Sequence, residues 1–292
     1  MATNRTSGPK VACEISAERV IAARGSGSAL DIYTTRNLPT GTLMPGLGSH
    51  NILRDEALRD ALSASLSTVG GGKDVVAVIP DAAVRVLLID FETLPNDREE
   101  AEALIRFRVR KSLPFDVEQA ALSFHAQRGN GTVRVLAALS PRIVIAEYED
   151  AFRALGYSPG VVVPSILATL GMVSADRPTM VVKVDPITTS IAIVDGDQVQ
   201  LLRTLDHPGR TVVSATELAN SIHPSMVFYE DTYAAKIELI LLGGTAELGG
   251  LASTLESESG VRTCELSTGA GSSLGDNLSE AALAGVAGAL AP

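Results

Sequence analysis

Short apolar runs with β periodicity open the chain: VACEISAERVIAAR and SALDIYTTRNLP, joined by the glycine-serine turn GSGS, predict a hairpin. The period then changes. DEALRDALSASL places Leu58, Ala61, Leu62 and Leu66 at helical spacing, and DVVAVIP reads as a buried strand closed by its proline. VRVLLIDFETLP predicts another strand. In NDREEAEALIRFRVRKSLPF the acidic residues lead and the basic ones follow, the order that complements a helix macrodipole. Ala101, Leu104, Ile105 and Val109 are its expected buried face, and Pro114 closes it. Two strands, QAALSFHAQR and TVRVLAALS, divided by GNG, complete a β-α-β-β block over about residues 81–140, which reads as a small subdomain set into a larger one.

After the helices IAEYEDAFRALG and SILATLGMV, the segment SADRP predicts a linker at residues 174–178. The order then repeats in outline. Strands run from Met180 to Leu205, followed by the helical stretch ELANSIHPSMVFYEDTYAAK, the strand IELILL, the turn GGTAELGG, a helix to Ser259, the strand VRTCEL and an Ala-rich helix. Both halves open with strand hairpins and then alternate helix and strand, the outline of a duplicated α/β fold with mixed sheets covered by helices. The expected halves are residues 11–175 and 179–292.

A formal charge of −10, with an isoelectric point near 4.9, argues against a nucleic-acid surface. No apolar run reaches the roughly 18 residues of a membrane span, and MATNRTSGPK has no apolar segment of the secretory kind. These features predict a soluble, cytoplasmic protein. Cys13 and Cys264 sit in apolar strand-like runs, as inert buried thiols do. The four histidines, His50, His125, His207 and His223, form no spaced ligand pair, so no metal site is expected. The motifs of serine hydrolases, zincins and P-loop NTPases are absent. Arg106, Arg108, Arg110 and Lys111 read either as a basic patch or as an ordinary solvated helix face.

In this order, VACEISAERVIAAR, LPNDREEAEALIRFRVRKSLPFDVEQAALSF, VVKVDPITTSIAIVDGDQVQLLRTL and SMVFYEDTYAAKIELILLGGTAELGGL resemble the PilM-like type IV pilus assembly proteins, which are related to FtsA. The second segment is the most specific. The resemblance implies an actin-like (ribonuclease H-like) fold on the cytoplasmic face of the inner membrane. It also implies a partner, the N-terminal tail of an inner-membrane PilN-like protein, and ATP with magnesium held between the two halves.

Such folds grip phosphate with two hairpin turns in which glycine lets backbone N–H groups close on the anion and an aspartate positions magnesium. The first turn falls on Glu14, Ile15, Ser16, Ala17 and Glu18, with serine in the glycine's place. Glu18 would repel phosphate by about 1 kcal/mol at 4 Å in water, and more at lower dielectric. In the second turn Lys183 stands where the family carries aspartate and Asp185 where it carries glycine, before Pro186, which has no N–H. Thr188, Thr189 and Ser190 keep the small polar run, and read equally as β-strand residues. Gly243 and Gly244, after a strand and before a helix, are the third element. Between Arg203 and Glu217 only TLDHPGRTVVSAT replaces the family's adenine-covering subdomain.

No catalytic residue is expected. The candidate nucleotide contacts, should that site survive, are Ser16, Asp185, Thr188, Thr189, Gly243 and Gly244. The leading expectation is a scaffold of a type IV pilus or related secretion system, with a degenerate nucleotide site, reaching the membrane only through its partner. The cytoplasmic domain of the type II secretion L protein is a comparable case. The alternatives are an ATP-binding assembly ATPase and, remotely, a sugar- or acetate-kinase-like enzyme.

Overall fold

The structure, a computed structural model, describes residues 11–26, 29–128, 131–207, 214–244, 250–268 and 278–291. The N-terminal segment, parts of the GSGS and GNG turns, residues 208–213 of the shortened connection and residues 245–249 of the GGTAELGG turn lie outside them. The first half contains β1 (Val11–Ile15), β2 (Arg19–Ser26), β3 (Ala29–Asn37), α1 (Asp55–Val69), β4 (Asp74–Ile79), β5 (Arg85–Phe91), α2 (Arg98–Val109), β6 (Ala120–Arg128), β7 (Val133–Pro141), α3 (Arg142–Arg153), β8 (Ser158–Pro164) and α4 (Ser165–Leu170). The second contains β9 (Ala175–Val184), β10 (Thr188–Gly196), β11 (Gln198–Asp206), α5 (Ala215–Tyr233), β12 (Leu239–Gly244), α6 (Leu251–Ser259), β13 (Arg262–Glu265) and α7 (Ala284–Leu290).

The two main sheets share one topology. Their orders, β3-β2-β1-β4-β8 and β11-β10-β9-β12-β13, each combine an antiparallel three-strand meander with two parallel strands. The repeat inferred from element order is therefore a repeat of sheet topology. β1 and the inner part of β9 are the middle strands, flanked on both sides and covered on both faces, so every residue of VACEI and of Met180–Val184 is buried. That placement explains why they are apolar at every position but one, Glu14 in the first and Lys183 in the second. The third sheet, β5-β7-β6, is antiparallel, and α2 packs Ile105 and Val109 against it, with Ala101 also buried. Leu104 is only half-buried, at the edge of the expected helix face.

One sequence expectation changes, and one strand lies in a stretch to which the sequence reading assigned no element. SPGVVVP, with two prolines and a glycine, has the composition of a loop, yet β8 pairs parallel with β4 at the sheet's edge, where a missing N–H can face outward. SADRP is not a free linker: β9 begins at Ala175, which pairs with Gly196 beyond an irregularity in register. The two cysteines also differ, Cys13 being buried and Cys264 partly exposed near the sheet's end.

Helices α1 and α3 cover one face of the first sheet, and α5 and α6 one face of the second. Between the sheets lie α4 and α7, each touching both. Leu283, Val286 and Ala287 at the end of the chain rest on Ala12, Ile21, Val76 and Val78 of the first sheet, while Ile166 of α4 rests on Val181 and Ala192 of the second. The halves are thus joined through a shared apolar layer. Among the described residues no helix is long and apolar enough to cross a membrane.

Candidate functional site

Equivalent strands of the two halves place two charges face to face. Glu14 is the penultimate residue of β1 and Lys183 the penultimate residue of β9; both are almost wholly buried, and the Lys183 ammonium lies 3.1 Å from Glu14 Oε1. Asp185, just past β9, adds both carboxylate oxygens to the same ammonium at 2.6 Å. The Ser165 hydroxyl at the start of α4 donates to Glu14 Oε1. Glu14 Oε2 is buried without a hydrogen-bond partner and lies against Gly285 of α7, where a Cβ would collide with the carboxylate.

Asp81, in the short 3-10 turn Asp81–Ala83 after β4, makes a second crossing. Its Oδ1 accepts the Ile166 N–H at 2.8 Å and its Oδ2 the Ser190 hydroxyl at 2.6 Å, joining the first half to β10. Ser190 also touches Thr204 Oγ1 at 3.0 Å. Burial works against the charged Lys183, but Asp185, Glu14 and Asp81 outweigh it and hold the ammonium above its usual range. Burial pushes the Asp81 carboxyl up to about 6, against the pull of Lys183 and the two donors. Among the described residues no histidine, cysteine and carboxylate grouping could hold a metal ion.

A pH signature follows from Asp81. Its folded value lies above the ordinary ~3.9 of an aspartate, so the stability it contributes is present below about pH 4 and is lost as pH rises through 6. Asp81→Asn keeps an acceptor for Ile166 and offers Ser190 a donor. The difference in unfolding free energy between variant and parent is expected near zero at pH 4, rising to about 1–3 kcal/mol in favour of the variant at pH 8. Denaturant melts across that range measure it, and a flat difference would contradict this assignment.

The residues singled out from sequence are brought together here, and their polar atoms largely serve the protein itself. Ser16 accepts the Arg19 N–H and donates to the Arg19 carbonyl, both at 3.2 Å, closing the β1–β2 turn on itself. Pro186 follows Asp185 in a turn closed by Asp185 N–H to the Thr188 carbonyl at 2.8 Å. Thr188 and Thr189 are buried in β10, and Thr189 Oγ1 contacts His207 Nε2 at 2.8 Å. Gly243 and Gly244 are not turn residues: they end β12, paired with Lys183 and Val184 of β9. Gly244 has φ +103°, and a Cβ there would meet the Val184 backbone. The space enclosed by Glu14, Ser16, Arg19, Lys183, Asp185 and Gly244 is about 20 Å³, close to what one water occupies.

Asp81 and Ser165 escaped sequence reading because their partners are distant in sequence. So did a larger feature beside Asp81, a groove of about 520 Å³ lined by Leu43, Met44, Leu47, Val84 and Ile187, with Asp81, Arg85 and Asp206 as its charged members. One wall is preformed. Glu147 accepts the N–H groups of His50 and Asn51 at 2.6 and 2.7 Å, and buried Asn51 holds Gly46 and Gly48 across the loop.

No protein-family model and no curated protein sequence matches the chain. Solved structures do. A chain of the PilM–PilN type IV pilus biogenesis complex is 22% identical, with a TM-score of 0.82 over 98% of both chains. The cytoplasmic domain of EpsL, an inner-membrane component of the type II secretion system of Vibrio cholerae, is 13% identical, with a TM-score of 0.50 over 85% of this chain and 93% of that one. A protein with an actin-like ATPase fold from Bacteroides thetaiotaomicron is 11% identical, with a TM-score of 0.51 over 90% and 93%. The chain has the actin-like fold expected from its sequence, and resembles the pilus protein over almost its whole length.

Proposed function

We propose that the chain is a PilM-like scaffold of a type IV pilus or related secretion system. It holds the cytoplasmic tail of an inner-membrane, PilN-like partner and has lost its nucleotide site. Its place is then the cytoplasmic face of the inner membrane, reached through the partner. The observation that carries the reading is the Lys183 ammonium clamped by Glu14 and Asp185 between the halves. Magnesium and the phosphates of ATP do not fit these residues. An ammonium already neutralises part of the carboxylate charge a cation would need, the Ser16, Thr189 and Ser190 side chains are engaged internally, and the space among the described residues here is only about 20 Å³. Only residues 207–214 separate β11 from α5, too few for a subdomain over an adenine ring.

The groove of about 520 Å³ beside Asp81 supports the binding half of the proposal. Its volume is that of a site for a few side chains, its walls are mostly apolar, and its carboxylates suit a tail carrying a basic residue. Thermal unfolding tests both halves together. Magnesium-ATP at millimolar concentration should leave the melting temperature unchanged. A synthetic peptide of the cytoplasmic N-terminal tail of the partner encoded beside this chain should stabilise by about 2.7 kcal/mol at a hundredfold excess over its Kd. Met44→Glu, at an exposed groove position, should abolish the peptide's effect while leaving the free chain's melting temperature unaltered. An upward shift with nucleotide would overturn the degenerate site; failure of every such tail would remove the scaffold role.

A further inference from the structure

The C-terminal turn of α2 carries an exposed aromatic side chain among cations. Phe107 is 78% exposed, the highest value among the described exposed large hydrophobics, and leaving such a ring in water forgoes the gain of burying it. Helical geometry continues to Arg110. At about 100° per residue Arg110 therefore lies roughly 60° from Phe107, on the side away from buried Ala101, Ile105 and Val109. Arg108 and Lys111 flank the same turn and are exposed.

These cations differ from the other basic residues of α2. Arg98 pairs with Glu102, and the Arg106 fork donates to the Val117 and Ala120 carbonyls at 2.5 and 3.2 Å, fixing the turn below. Arg108, Arg110 and Lys111 have no ion pair or hydrogen bond among the described residues. In a chain of net charge −10 they gather at the C-terminal end of the helix beside an exposed ring.

We propose that this turn docks on an anionic lipid surface, the Phe107 ring entering the headgroup boundary while Arg108, Arg110 and Lys111 contact the anionic headgroups. α2 lines neither of the two 520 Å³ grooves, whereas a bound peptide needs a groove or a free strand edge. A protruding ring with basic neighbours suits a soft, negatively charged interface. The contact uses no residue of the site between the halves and is a property of the isolated chain.

The chain contains no tryptophan, so Phe107→Trp introduces a single emitter at the patch. With vesicles containing about one third phosphatidylglycerol its emission is expected to shift to the blue and to be quenched by brominated acyl chains. Neutral phosphatidylcholine vesicles should do neither. Co-sedimentation of the unsubstituted chain with the same vesicles guards against binding created by the new ring. Each cation is worth roughly fivefold in partitioning, so Arg110→Glu with Lys111→Glu should reduce binding by at least about tenfold, as should raising the salt several-fold. No shift at millimolar anionic lipid overturns the proposal. So does equal binding to neutral vesicles, and so does a shift with polyglutamate but not with vesicles, which would make the patch a protein-docking surface.

Discussion

Lys183→Met destabilises the chain by about 3–5 kcal/mol at neutral pH, the expected cost of removing one partner from a buried ionic cluster. Methionine nearly preserves the length of the side chain, so little of that loss comes from a cavity. What remains is a set of carboxylates from both halves, Glu14, Asp81 and Asp185, without their ammonium. Their mutual repulsion in a dry interior then acts to part the sheets. Adding Glu14→Gln should return part of the loss, because it removes one orphaned charge while its amide oxygen can still accept from Ser165. The check is a double-mutant cycle by denaturant melts. A single-variant loss below about 1 kcal/mol, or strict additivity of the two substitutions, would show that the ammonium does not hold this junction together.

The second large effect has the opposite sign to ordinary expectation. Gly→Ala inside a helix normally stabilises by up to about 1 kcal/mol. At Gly288 of α7 it should instead destabilise by about 3 kcal/mol, because the new methyl would fall on the Ala168 carbonyl of α4, and backbone cannot swing aside as a side-chain tip can. Gly171, just beyond α4, meets the Gly288 carbonyl in the same way. The two helices that join the sheets therefore cross nearly backbone to backbone. Thermal and denaturant melts of Gly288→Ala decide the matter, a neutral or stabilised variant meaning that the crossing can relax.

The sequence was most legible where local physics sufficed. The apolar text of VACEI and VVKV, broken only by Glu14 and Lys183, marked strands covered on both faces, and the charge gradient along α2 marked its direction. It was least legible where pairing overrode composition. β8 is a strand because β4 offers it a free edge, and Ala175 because Gly196 faces it, neither of which a local reading of SPGVVVP or SADRP reveals. At the site, Lys183 was visible as a departure from a pattern, and Glu14 as the acidic residue opening the first turn. That the two meet, so that one supplies the countercharge of the other, depends on the packing of one half against the other. Asp81 and Ser190, 109 residues apart, meet only across the same junction.

The inserted three-stranded sheet also leans across onto the second half. Gln127 of β6 accepts the Val199 N–H at 2.6 Å, and Arg134 of β7 binds Asp90, the Gln200 side chain and the Tyr233 hydroxyl. Val199 and Gln200 open β11, the outermost strand of its sheet. An exposed strand border invites lateral zippering with a neighbouring molecule. Here the insertion works as a stopper over the start of that border, so a zipper between copies through this stretch must first pry the insertion loose.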